Sequence, residues 1–183
     1  MVEAGLTRHA GFTGLGEASA LRELASDRRF ETVQAYFNVL NPSAGFAGTS
    51  AGAQDFEGLI DVAAGAGLGV LVIRPFAAGA LTASPNRAPA AGSPGPPLAG
   101  GADYERDLQR ARALAHLPAE LGLESLLELG LRFSLAKRGV STVLVGYSDL
   151  DQLESAIRWA DRGPLDESAV RRVLEVAGFT PAA

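Results

Sequence analysis

The stretch from Leu68 to Leu81, LGVLVIRPFAAGAL, constrains this chain more than any other. Val70 to Ile73 is an unbroken apolar run with three β-branched residues, preceded by Gly67 and Gly69. Such a run predicts a strand buried on both faces, as in a parallel sheet. Arg74 and Pro75 end it, because proline cannot donate to a sheet ladder. Ala77, Ala78, Gly79 and Ala80 follow, small enough for a ligand to approach the backbone closely. A buried strand, an arginine and a glycine-containing turn are how an α/β protein builds an anion site at the carboxyl end of its sheet. The same residues also suit a strand with a surface arginine and a plain loop, and this stretch alone does not choose.

The remaining chain repeats the pattern. Arg8 to Thr13 and Thr32 to Asn38 read as strands, the second rich in β-formers, and Thr142 to Val145 reads as a fourth, buried one. Helical spacing marks Glu17–Ser26, Phe56–Ala66, Tyr104–Leu117, Glu124–Lys137, Leu150–Asp161 and Asp166–Ala177. In Leu150–Asp161 the expected inward residues are Leu150, Leu153 and Ile157, with Glu154 and Arg158 paired outside. Met1 to Ala4 resembles a helix end closed by Gly5. Asn41 to Gly52 is a Gly/Ser/Pro loop. Ala83 to Gly101 holds half of the prolines and is expected to be a flexible Pro/Gly-rich loop, either a mobile lid or a disordered insertion. Residues 1–183 then form a single α/β domain. Strand and helix alternate four times, which gives an all-parallel sheet: a doubly wound open sheet or part of a (β/α)8 barrel.

Charge and composition remove several function classes. A formal net charge of -5 leaves no electrostatic footprint for nucleic acid or an anionic membrane. With no cysteine there is neither a disulfide nor thiol chemistry, and no Cys-ligated zinc. His9 and His116 lack partners at metal spacing, so no metal is expected. No apolar run approaches the roughly 20 residues that span a bilayer. The start, MVEAGLTRH, does not read as a signal peptide, and a cytoplasmic location is expected.

Two motifs need weighing. Gly11, Gly14 and Gly16 lie between a strand and a helix, but their spacing is G-x-x-G-x-G, and Asn38 stands where a dinucleotide fingerprint has its ribose-binding acid. The Rossmann reading fails on both counts. Ser148 followed by Asp151 fits a helix N-cap with an acid in the first turn; a helix N-terminus equally holds a phosphate, but Asp149 and Asp151 argue against a bare anion there.

Taken together in order, GLTRHAGFTGLG (Gly5 to Gly16), TVQAYFN (Thr32 to Asn38), LGVLVIRPFAAGAL and STVLVGYSDLDQLESA (Ser141 to Ala156) resemble the aldo-keto reductase family. Glu120 to Ser141 is similar to the family helix before its last strand. The resemblance implies a TIM-type (β/α)8 barrel that binds NADP(H), or less often NAD(H), and interconverts carbonyls and alcohols. Its register is informative. These stretches resemble the family's fifth to eighth strands, so the chain is expected to be a partial barrel of about four βα units with extra helices. The family's catalytic Asp, Tyr, Lys and His belong to the other half.

The residues agree with that register. The only lysine, Lys137, ends a helix ahead of a strand, and His9 stands near the beginning of its strand, both on the wrong side of the sheet for chemistry. His116 is placed in a helix. Tyr36, Tyr104 and Tyr147 have no lysine or histidine beside them to bring a phenol pKa of about 10 toward neutrality. The resemblance carries over part of a cofactor site. Gln34 matches the glutamine that holds the nicotinamide carboxamide, and Thr13 and Gly14 stand where many members have Ser-Asn for the same group. Arg74, Phe76, Ala78 and Gly79 align with the turn around the pyrophosphate. Ile73 occupies the position of an aromatic ring often found under the nicotinamide. Ser148 and Gln152 match residues around the adenosine phosphate, while Ser155 and Ala156 replace a common Glu-Asn pair.

Two readings follow. The chain is the carboxyl half of an NAD(P)(H)-dependent oxidoreductase acting on small carbonyl substrates, without its catalytic tetrad, or a non-catalytic half-barrel that binds a nucleotide or a partner. An in-frame upstream segment carrying Asp, Tyr, Lys and His would separate them. Either way, half a barrel leaves open edges, through which self-association is expected. The open face would carry Val33, Val70, Val72 and Leu144, or their strand neighbours.

Overall fold

A computed structural model describes residues 2, 4–27 and 29–180. The helix end expected at Met1–Ala4 lies partly outside them. Four parallel strands, β1 (Gly11–Gly14), β2 (Thr32–Tyr36), β3 (Gly69–Ile73) and β4 (Val140–Val143), form one sheet in chain order. Helices α1 (Ala18–Ser26), α2 (Leu59–Gly65) and α5 (Leu126–Ala136) are the main crossovers between and beside them. Between β3 and β4 the chain also forms α3 (Tyr104–Ala113) and a short α4 (Leu117–Glu120), and it closes with α6 (Leu150–Asp161) and α7 (Glu167–Val176). The short α4, begun by Leu117 and Pro118, has no counterpart in the sequence reading. His116 precedes it in a turn rather than lying within a helix.

The register fixes the pleat. Thr13 pairs with Gln34, Gln34 with Leu71, and Leu71 with Thr142. Val33, Ala35, Val70 and Val72 point the other way and are fully buried in a core with Leu59, Ile60 and Ala63 of α2. The open face therefore carries the strand neighbours, Gln34, Leu71, Ile73 and Thr142, rather than the valines. The helices cover one face only, and burial draws the branched side chains to it.

β4 begins two residues earlier than its sequence suggests. A bulge opposite Val70 and Leu71 absorbs Ser141, whose hydroxyl accepts the Val70 N–H at 3.1 Å. β1 likewise runs from Gly11, with Arg8 to Ala10 outside it.

α6 is turned away from its expected orientation. Ala156 and Trp159 pack against Leu131 of α5, while Leu150 is 71% exposed and Ile157 53%. Arg158 donates to Ser155 Oγ at 2.9 Å instead of pairing with Glu154. Beneath this contact Glu128 of α5 is fully buried and holds Arg132 and Arg162, each at 3.0 Å. Trp159 Nε1 donates to Glu124 at 2.9 Å. Polar ties, not the leucine spacing of α6, thus set its rotation.

Among the described residues no helix is long and apolar enough to cross a membrane, and no group of His, Asp and Glu is arranged to hold a metal ion.

Candidate functional site

A cleft of about 1100 Å³ opens where β3 and β4 end. Its floor is the turn after Ile73. Arg74, Ala77 and Ala78 all have positive φ, at 60°, 49° and 57°, and Gly79 follows at 95°. For residues with a Cβ this region is strained by roughly 1 kcal/mol each, so the surroundings must impose it. Asn38, fully buried just beyond β2, does part of this. Its Nδ2 donates to the Arg74 carbonyl at 3.1 Å while its Oδ1 accepts the N–H groups of Leu40 and Asn41, each at 3.0 Å. In the sequence Asn38 served only to reject a Rossmann fingerprint; nothing there marks it as the support of a turn 36 residues on.

The segment 83–101 forms the rim, irregular apart from a 3₁₀ turn at Pro89–Ala91. Arg87 fastens it. Its Nη1 donates to the Ala78 carbonyl at 2.8 Å and to the Tyr104 hydroxyl at 3.1 Å, and its Nε to Gly92 O at 2.8 Å. A Cβ on Gly79 would lie 3.1 Å from Arg87 Nη1. Arg74 reaches the same segment, donating to Pro94 O at 3.3 Å. The cleft thus has two guanidinium groups against a turn of small residues. Arg87 is absent from the sequence reading because a lone arginine inside a proline-rich run carries no pattern.

The far wall is the start of α6. Asp149, not Ser148, is the N-cap: its carboxylate accepts the Gln152 N–H at 2.9 Å. Aspartate caps as well as serine, and here it lies one residue closer to the first helical turn. Ser148 instead donates its N–H to Gln152 Oε1 at 2.9 Å. Tyr147 is 55% exposed along this wall.

Of the expected cofactor residues, Arg74, Phe76, Ala78, Gly79, Ser148 and Gln152 line the cleft together. Thr13 and Gln34 lie to one side on the open face of β1 and β2, with the Thr13 hydroxyl donating to Gln34 Oε1 at 3.3 Å. Gly14 faces the other way, into the helix layer. A Cβ there would meet the Gln34 carbonyl and Leu59 Cδ2, each at 2.9 Å, so close packing accounts for this glycine.

Tyr36, His9 and Lys137 do not line the cleft. Tyr36 is buried at the end of β2, and burial, aided by the Asp107 carboxylate, pushes its hydroxyl above the ordinary phenol value despite Arg74 and Arg110. His9 contacts Glu31 just ahead of β1 and β2, at the opposite end of the sheet from the cleft. Lys137 precedes β4 and is paired with Asp61 at 2.7 Å.

The aldo/keto reductase family model matches residues 1–177. The chain belongs to the aldo/keto reductase family. Among solved structures it is similar to the holo form of aldo-keto reductase AKR11C1 from Bacillus halodurans, with a TM-score of 0.67 and 19% identity over 99% of this chain and 54% of that one. The apo form of the same protein gives the same TM-score and identity, and 55% of its chain is covered. The chain spans about half the length of these relatives, so its four-stranded sheet is a partial aldo/keto reductase barrel. No curated protein matches it by sequence.

Proposed function

We propose that this chain is the cofactor-binding half of an NAD(P)(H)-dependent aldo/keto reductase, and that it performs no carbonyl chemistry by itself. The observation that carries this reading is the cleft, which gathers six of the expected cofactor residues around a left-handed turn with two arginines. Size and chemistry fit a dinucleotide: the volume reaches the upper end of small-molecule sites, and the guanidinium groups suit a pyrophosphate. Arg74 and Arg87 bind the phosphates. Gln34, oriented by Thr13, holds the carboxamide on the open face of the sheet, and the 83–101 segment excludes water from above the turn. The bound nicotinamide would supply hydride. Among the described residues, Tyr36 is held less acidic than an ordinary phenol, His9 and Lys137 are at the wrong end of the strands, and Tyr147 on the cleft wall therefore has neither a histidine nor a lysine beside it to make it a proton donor.

That missing donor also supports the second reading, a non-catalytic half-barrel module. One experiment bears on both. Calorimetric titration with NADH and NADPH is expected to show binding, while the same protein with either cofactor and a reactive aldehyde shows no loss of nicotinamide absorbance above a blank. Turnover abolished by replacing Tyr36 or Tyr147 would overturn the assignment of inactivity. Absence of binding to either dinucleotide would overturn the cofactor assignment.

A further inference from the structure

The two nicotinamide dinucleotides differ by one phosphate on the adenosine ribose, and the cleft distributes its charge unevenly along the line where they differ. The strands run β1-β2-β3-β4 across the sheet. Thr13 and Gln34 lie on β1 and β2, the left-handed turn follows β3, and the wall at α6 follows β4. On the function proposed above, on which this inference rests, nicotinamide lies toward β1 and β2 and the pyrophosphate over the turn. The adenosine ribose then falls beside the start of α6. The arginines that line the cleft, Arg74 and Arg87, are both at the turn. The α6 end is lined instead by Glu124, Asp149 and Asp151.

The start of α6 is closed to a phosphate by its own side chains. Asp149 accepts the Gln152 N–H with one carboxylate oxygen and Gln152 Nε2 with the other, both at 2.9 Å, and Gln152 Oε1 takes the Ser148 N–H. The helix terminus, which otherwise attracts an anion, already holds one. Of the neighbouring cations, Arg162 is paired with Glu124 and Glu128, and Arg158, which donates to Ser155 Oγ, is not among the residues that line the cleft. We infer that the cleft selects the dinucleotide lacking the 2′-phosphate, NAD(H) over NADP(H), with Asp149 and Asp151 as the specificity residues. A carboxylate accepts a hydrogen bond from a free ribose hydroxyl and repels a phosphate in its place.

The test is calorimetry on the whole chain with ADP-ribose and with 2′-phospho-ADP-ribose, which probe this end without the nicotinamide. Trp159, the only tryptophan of the chain and part of the cleft wall, gives a second readout by fluorescence. ADP-ribose is expected to bind about tenfold more tightly at low salt, with the gap narrowing as salt screens the carboxylates. Asp151→Lys is expected to close most of the gap by strengthening the phosphorylated ligand. Asp149→Ser, which keeps a capping group, is expected to narrow it. Equal or tighter binding of the phosphorylated ligand by the unaltered chain overturns the selectivity and leaves the cofactor cleft standing. Binding of neither ligand overturns both.

Discussion

Arg74 and Arg87 illustrate how differently two like residues present themselves. Arg74 follows a strand and precedes a proline, a position that marks a site in the sequence. Arg87 follows no pattern, yet two of its hydrogen bonds tie the 83–101 segment to Ala78 and Tyr104 and a third, to Gly92 O, braces the segment internally. Both are expected to matter for the dinucleotide. Arg74→Ala and Arg87→Ala should each lower its affinity about tenfold, the scale of one lost charge-assisted contact. They should differ in hydrogen exchange: Arg87→Ala removes the anchors of the segment and should raise exchange across residues 83–101, whereas Arg74→Ala removes only the contact to Pro94 O. Arg87→Lys should not restore it, because an ammonium cannot reproduce the fork that spans Ala78 and Gly92. Affinity equal to wild type in both alanine variants would remove these residues from the site.

At the scale of elements, the strands were legible because β-branched runs bounded by glycine and proline have few alternatives. The rotation of α6 was not, because periodicity marks which residues share a face and leaves open which face is buried. Leu150 and Ile157 share one, but Glu124 draws Trp159 inward, Glu124 and Glu128 hold Arg162 at the helix end, and the leucine face is left outside. The bulge at Ser141 was equally hidden, since an extra residue in one strand has meaning only against its partner. The Glu128 cluster also makes a stability prediction. Burial raises the Glu128 carboxyl, but the Glu124 N–H and the guanidinium groups of Arg162 and Arg132 outweigh it and hold the pKa below its ordinary value. The same sign holds for Glu120, bonded to Arg172, and for Asp166, bonded to Ser168 and the Ala169 N–H. Depressed native values mean that the unfolded chain binds protons first, so this stability is complete above the ordinary carboxylate range and is lost as pH falls through the native values. Melting temperature should therefore drop on acidification below about pH 4.5. Asp107, raised by burial, acts with the opposite sign. Glu128→Ala should cost about 3 kcal/mol in urea unfolding and flatten the acid limb, because it takes the buried counter-charge from Arg132, which keeps only backbone carbonyl acceptors, and leaves Arg162 with Glu124 alone. An unchanged acid limb would mean that other carboxylates govern it.

For the whole molecule, the sheet order leaves β1 and β4 as open edges, and a parallel sheet is rarely stable with an uncovered face. The apolar exposure is concentrated where closure would occur. Leu6 is 75% exposed ahead of β1, while Leu144, Leu150 and Ile157 are 41%, 71% and 53% exposed at and beyond β4. The open face adds Leu71 and Ile73, half-buried beside Gln34. In an eight-stranded barrel of this kind the other half would cover all of these. We expect the isolated chain to find a substitute in a second copy. If the twofold axis lies along the barrel, β4 of one copy meets β1 of the other at both seams. All eight strands then stay parallel, and no edge remains. Pairing β4 with β4 would set those strands antiparallel and leave both β1 edges open, so the closed arrangement removes more unpaired N–H and C=O groups. Aggregation through the same edges competes with it, and a net charge of -5 opposes that only modestly. Sedimentation velocity over a range of concentrations should show a dimer in exchange with monomer. A lysine in place of Thr142, exposed on the open face of the edge strand β4, should shift the distribution toward monomer. A single monomeric species, well folded by circular dichroism at every concentration, would mean that the chain covers its own edges, which would contradict the open β1 and β4 as well as the dimer.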